Sequence, residues 1–371
     1  MKLRLYTDLS LLSKGQPVEL LMPFIGDFEA GAESIRHGRY DDFLSSGKSF
    51  LELTSIEECD ACLLPIFYDV IGDQAKFEKS IKGFVEEVER SGKKVLIFVG
   101  HDVLEINIPV KNAIIFNSAI SKSKQAKNVY PWPHFFEDFL ERYKGGELEI
   151  RNKGAKPVVG FCGYAPPLNI KMGREKIVAI AKLMANYAGL LQKYPDRISH
   201  SYRARAIIGL QKATTIIPNF RLKSNFAFGP NGMNTGNTVE SNEDFRKKFV
   251  ENIIESDYTL CVRGLGNNSV RFFETLCCGR IPVFVNTDST LPFDNLIDWK
   301  SLCVWVEEKD IDRIAEAVVE FHNNISESDF IDLQKKLRAI WEEYLTPTGF
   351  FKRLSFFINQ ESTVRSEASA E

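Results

Sequence analysis

Nowhere does the chain of 371 residues approach the ~20 consecutive apolar residues that cross a bilayer, so no membrane-spanning helix is expected. No leader is expected either. The start, "MKLRLYTDLSLL", alternates apolar residues without a long apolar core or a small-residue cleavage site, and reads as the first strand of a cytoplasmic protein. Peripheral contact with a membrane stays open. Charge of one sign is not in excess: the net charge is -3 and the basic residues are scattered, which excludes the basic face that neutralises a nucleic-acid backbone. The seven cysteines sit mostly in apolar runs, and Cys59 and Cys62 form a single C-x-x-C with no second pair and no histidine cluster beside it. That spacing supports neither a zinc site nor a redox motif. No internal repeat is visible, which excludes a solenoid.

What is present is an alternation of strand and helix patterns. "LRLYTDL", the continuous apolar run "ACLLPIFYDV", "KKVLIFVG", "NAIIFNSA" and "NVYPWP" read as strands, with an apolar-striped helix "DQAKFEKSIKGFVEEVERSG" closed by Gly92 between the second and third. Residues 1–150 are expected to form one parallel α/β domain, ending in a linker around Gly145, Gly146 and "ELEIRNKGAKP". A second series starts at "PVVGFCGY", continues through a long helix around Ile177 to Leu191, a polar segment from Tyr202 to Gln211 and a loop "FAFGPNGMNTGNTVESNE", and carries the helix "NEDFRKKFVENIIESD" and the strands "YTLCVRG", "RIPVFVN" and "LCVWV". It is expected to span 151–345. Residues 346–360 should form a C-terminal helix that packs back on the first domain, and 361–371 a disordered tail.

The most informative stretch is "RGLGNNSVRFFETLCCGRIPVFV", from Arg263 to Val285. A strand, a glycine turn and a helix start make an anion trap, because free backbone N–H groups and the positive helix end point at one place. Gly264, Gly266, Asn267, Asn268 and Ser269 supply the turn. No Lys-Ser/Thr pair follows, so a triphosphate P-loop is excluded. A dinucleotide fold is not: the turn satisfies the first half of G-x-G-x-x-G, and Asp288 follows the next strand where a ribose-binding acid belongs. Against that, Arg263 ends the strand as a fixed cation suited to a diphosphate. Glu274 lies about one and a half turns into the helix, with Arg271 one turn before it. Spacing leaves two readings level: Glu274 accepts from both ribose hydroxyls of a nucleotide, or Arg271 and Glu274 form a surface i,i+3 pair.

The segment from Ser256 to Val306 resembles the C-terminal half of the exostosin family, the family 47 glycosyltransferases. The resemblance rests on Arg263-Gly264, Arg271 with Glu274, Gly279 with Pro282-Val283, Leu291-Pro292-Phe293 and Ile297-Asp298-Trp299, which follow the family's order. Weaker echoes lie in "EECDACLLPIFYDV", "VGHDV" and "NVYPWP". The resemblance implies a GT-B fold, two Rossmann-like parallel-sheet domains facing across a cleft. It also implies an inverting transfer from a UDP-sugar, bound by the C-terminal domain, to a glycan or lipid-linked glycan acceptor. Secretory members carry a membrane anchor that is missing here, which favours a cytoplasmic enzyme acting on a glycan precursor. Asp288-Ser289-Thr290 replace the family's G-W-E, which leaves the donor sugar open. Family 10 fucosyltransferases, which use GDP-fucose, have a similar helix, but their Thr-Glu-Lys pattern is absent from "VRFFETL". A dinucleotide-dependent oxidoreductase and a catalytically silent nucleotide-sugar binder are the competing classes.

An inverting transfer needs a base for the acceptor hydroxyl. His101 and Asp102, after "KKVLIFVG", are the first choice; Asp27 and Glu29 in "IGDFEAG", and Asp69, are the reserve. Asp310 and Asp312 form a D-x-D at the start of an apolar-striped helix, where acids favour the positive end, so capping is expected and a metal is not. No cofactor beyond the nucleotide-sugar is implied. Arg203 and Arg205, ahead of a helix, either add positive charge to the nucleotide site or belong to a solvated face. Tyr130, Trp132 and Phe135 either stack on an acceptor sugar or fill the core.

Overall fold

The structure is a computed structural model that describes residues 2–28, 38–102, 106–165, 199–223, 242–264 and 266–360. Two compact units divide the chain: Met1–Glu137 with Thr290–Pro292 and Glu343–Glu371, and Asp138–Ser289 with Phe293–Glu342. Each is built on one parallel sheet.

In the first unit the strands are β1 (Leu3–Tyr6), β2 (Leu51–Leu53), β3 (Ala61–Leu63), β4 (Val95–Val99), β5 (Ala113–Asn117) and β6 (Val129–Tyr130), in the order β2-β1-β3-β4-β5-β6. Every pairing is parallel, and β4 and β5 are buried along their whole length, which is why their sequences are apolar without alternation. The run "ACLLPIFYDV" is shorter as a strand than its apolar length suggests. Pro65 has no N–H to give, so β3 ends at Leu63, although the chain stays beside β4 through Tyr68 N–H to the Phe98 carbonyl (2.8 Å). The helix Gln74–Ser91 starts where the Asp73 carboxylate accepts from Lys76 N–H and stops at Gly92 in the left-handed conformation (φ 68°). Its buried stripe of Phe77, Ile81, Phe84 and Val88 lies on the sheet, each side chain contributing about 1.5–3 kcal/mol of burial.

Residues 343–360 belong to this unit. Thr346 caps the short helix Pro347–Phe351, and Phe350, Phe351 and Phe357 interlock with Phe98, Phe116 and Tyr130 at ring-centroid distances of 5.0 to 6.2 Å. Trp132 and Phe135 join the same cluster and are buried, so these two fill the core, whereas Tyr130 is partly exposed.

The second unit has β7 (Val158–Tyr164), β8 (Ile217–Lys223), β9 (Tyr258–Cys261), β10 (Ile281–Asn286) and β11 (Val304–Glu307), all parallel in the order β11-β10-β9-β7-β8. It begins at Asp138 and not at the glycine pair, for a local reason. Asp138 caps the helix Phe139–Lys144, and its carboxylate is gripped by Arg338 (2.9 and 2.6 Å) of the same unit; Gly145 only closes that helix with φ 61°. Arg280, fully buried before β10, is satisfied by the carbonyls of Ile254, Glu149 and Cys278 at 2.8 to 3.2 Å. The helix expected around Ile177 to Leu191, most of the loop "FAFGPNGMNTGNTVESNE", Glu29 and the tail 361–371 lie outside the described residues. No described helix is long and apolar enough to cross a membrane.

Candidate anion site

The site grows from the carboxyl ends of β7 and β9, the edge at which parallel sheets present their loops to ligands. After β9 the chain turns at Gly264, whose N–H donates to the Asn268 carbonyl (3.1 Å), and the eight-residue helix Val270–Cys277 begins. Among the described residues, a Cβ added at Gly264 would meet nothing within 4 Å. Ser269 precedes the helix in an extended conformation and its hydroxyl makes no capping bond, although Phe272 N–H reaches its carbonyl. Asn267, Asn268 and Ser269 are buried.

The Asn267 side chain is engaged within the protein. Its amide donates to the Asp288 carbonyl (2.9 Å) and accepts from the hydroxyls of Thr287 (2.8 Å) and Ser289 (3.3 Å), which ties the glycine turn to the loop after β10. Asp288, exposed within that loop, has φ 61°, a strained value for a residue with a side chain. Asn267 is therefore a strut, spent on holding the two loops together.

Arg271 reaches back to β7. One guanidinium nitrogen donates to the Cys162 carbonyl (2.7 Å), and the plane lies 4.2 Å from the centre of the Phe161 ring. Gly163 makes room for it: φ is +149°, and a Cβ there would stand 3.1 Å from the Arg271 nitrogen. Arg203 comes from the helix Ser199–Lys212 and not from ahead of one. It donates to the carbonyls of Tyr164 (3.3 Å) and Arg263 (3.4 Å) and lies 5.9 Å from the same Phe161 ring. Burial, and after it the charge of Arg271, pushes the Arg203 guanidinium down to about 10, still charged at neutral pH. Among the described residues neither Arg203 nor Arg271 has a carboxylate within ion-pair distance.

Glu274 is not in a surface pair with Arg271. It is buried and accepts from Arg246 at 3.0 Å, both side chains being 8% exposed. The Arg246 guanidinium sits 4.5 Å from the Phe139 ring and 5.4 Å from the Phe249 ring, and Arg271 is 5.4 Å from that same Phe249. Three phenylalanines and three arginines thus alternate: Phe139, Arg246, Phe249, Arg271, Phe161, Arg203. Only Arg246 in this stack has a described carboxylate partner, so positive charge accumulates at the Arg271–Arg203 end. Two like charges held together beside a glycine turn are costly unless an anion joins them.

Arg205 does not join this cluster. It is engaged by both oxygens of Asp312 (3.0 and 2.7 Å), a pair on the surface that holds the Asp312 carboxyl below its ordinary range. This also corrects the capping of Asp310 and Asp312: the chain makes a 3-10 turn over Glu308–Arg313, and the helix Ile314–Asn324 starts without a side-chain cap.

In the first unit three of the candidate bases, His101, Asp102 and Asp69, follow the carboxyl ends of strands. His101 follows β4 and is exposed, and Asp102 accepts from the Ser118 hydroxyl at 3.4 Å. The Asp69 carboxylate takes the N–H groups of Ile71 (2.9 Å) and Gly72 (2.8 Å), which lower its pKa together with the nearby His101. Asp27 is exposed after Gly26, at the end of the helix Met22–Ile25. Sequence reading missed Arg246, Phe249 and Phe161. The signal for Arg246 was a charge on the apolar face that Phe249, Val250 and Ile253 define.

Part of the second unit is similar to known proteins. Residues 221–321 match the model of the Exostosin GT47 domain. Exostosin-1 of Drosophila melanogaster is 30% identical over 106 residues, 28% of this chain and 13% of that protein. The Exostosin-1 homolog of Caenorhabditis elegans is 31% identical over 106 residues, 29% and 27% of the two chains. A probable glucuronosyltransferase of Oryza sativa subsp. japonica is 34% identical over 71 residues, 19% of this chain and 17% of its own. The chain therefore matches only a small part of each relative. A solved structure of S. aureus TarM in complex with fondaparinux, alpha-GlcNAc-glycerol and UDP covers 80% of this chain and 50% of its own at 14% identity, with a TM-score of 0.30. The exostosin-like match holds Arg246, Arg263, Arg271, Glu274 and Asp288, but neither Arg203 nor Phe161.

Proposed function

We propose that the protein is a glycosyltransferase that moves a sugar from a UDP-sugar to a glycan acceptor with inversion. One observation carries the reading: the Arg203 and Arg271 guanidiniums share the Phe161 ring, donate only to backbone carbonyls among the described residues, and stand beside the Gly264 turn. A nucleoside diphosphate supplies the charge this cluster is missing, and the exostosin-like match gives the chemical class.

The roles follow from charge. Arg271, Arg203 and Arg263 hold the diphosphate, whose charge grows as the bond from the anomeric carbon to its oxygen breaks, so their hold is tighter in the transition state than before it. No divalent metal is needed for that step. Glu274 accepts from the ribose hydroxyls with its carboxylate. His101 takes the proton of the acceptor hydroxyl while that oxygen attacks the anomeric carbon and UDP leaves. The test is a panel of UDP-sugars with and without oligosaccharide acceptors, read as UDP release and as product mass. Acceptor-stimulated release with one donor is expected. Absence of release across the panel, combined with absence of UDP binding, would overturn the proposal.

A further inference from the structure

Arg246 has no place in the reaction so far, yet it is the partner on which Glu274 depends. The pair is buried, 3.0 Å long, with the guanidinium flanked by Phe139 and Phe249. Stability does not require it, since apolar pairs of similar volume commonly replace buried ion pairs without loss. Its geometry has a different consequence. Arg271 and Glu274 are three residues apart on one helix, within reach of each other, and a Glu274 without Arg246 would turn to Arg271 and cancel the charge that the anion needs.

We infer that Arg246 is a positioning residue: it fixes the Glu274 carboxylate where it meets the ribose hydroxyls of the nucleotide and keeps it off Arg271. This rests on the reading of the site as one for a nucleoside diphosphate. Phe249 completes the device, because its ring stands 5.4 Å from both the Arg246 and the Arg271 guanidiniums. One oxygen of Glu274 is bound to Arg246, so the carboxylate cannot rotate freely, and a ribose that lacks a hydroxyl loses a bond to a group already desolvated.

The experiment is calorimetry of the full chain with UDP, 2′-deoxy-UDP and inorganic pyrophosphate. In the wild type, UDP is expected to bind about tenfold or more tightly than its 2′-deoxy analogue. Arg246→Met, which fills the space between Phe139 and Phe249, is expected to bring that ratio to within about twofold and to weaken pyrophosphate as well, as Glu274 moves to Arg271. Arg246→Lys keeps a cation and is expected to lose about threefold of the ratio, an intermediate value, so a failure of the methionine variant to fold leaves the test intact. An unchanged ratio in whichever variant folds overturns the inference and makes the pair a link between two helices. A wild type that binds neither UDP nor pyrophosphate overturns the functional reading instead.

Discussion

Replacing Arg271 by methionine separates an anion ligand from a structural staple. The side chain makes one hydrogen bond, to the Cys162 carbonyl at 2.7 Å, and stacks on Phe161 at 4.2 Å. Losing that bond costs on the order of 1–3 kcal/mol if the carbonyl stays unsatisfied. Methionine keeps most of the contact with the ring. The like charge that presses on Arg203 also disappears, which returns part of the loss. The net change in stability should therefore stay under about 2 kcal/mol, a shift of a few degrees in Tm for a domain of this size. Binding responds more strongly. A guanidinium that donates to a phosphate contributes ~1.5–3 kcal/mol, so UDP affinity should fall roughly 10- to 150-fold. Calorimetry with UDP and a thermal melt of the same preparation measure both quantities. A variant that melts many degrees lower and binds UDP as the wild type does would refute the assignment, and would leave Arg271 as a clamp on β7.

Three further outcomes are expected. Gly163→Ala puts a methyl group 3.1 Å from the Arg271 nitrogen at a φ of +149°, so it should weaken UDP binding with a cost in stability of about 1–3 kcal/mol; a full-affinity variant would show that Arg271 tolerates displacement. Arg205→Ala should leave UDP affinity unchanged and cost less than about 1 kcal/mol, since its partner Asp312 is mostly exposed. Because Arg205 lowers the Asp312 pKa from 3.8, that cost should be complete above pH 3.8 and vanish as the pH falls through the lowered value; denaturation across pH 2 to 7 checks the sign. His101→Ala should reduce kcat ~10²- to 10⁴-fold while UDP affinity holds, and a variant that keeps its rate would remove His101 as the base.

The fold was legible where a single residue type decides an outcome. Asp73 and Gly92 mark both ends of the helix Gln74–Ser91, and uninterrupted apolar runs mark β4 and β5. β2 and β8 left no such mark: β2 is three residues long, and β8 carries Pro218, Asn219 and Arg221 on a half-exposed edge of the sheet. At the site, the loop, Arg263, Arg271 and Glu274 could be read from local order. Their partners could not, because spacing along one helix offers Glu274 only Arg271, whereas the structure brings Arg246 to it from another helix. The side-chain bonds of Asn267 were out of reach in the same way, because they come from the chain that returns after β10.

The most direct test of the central claim is a competition titration of the wild-type chain with UDP, UMP and NAD. The arginine cluster holds a diphosphate, so UDP should bind at least about tenfold more tightly than UMP, and NAD, whose diphosphate is capped on both sides, should bind more weakly than UDP. Equal affinity for UDP and UMP, or NAD as the tightest of the three, would contradict the account.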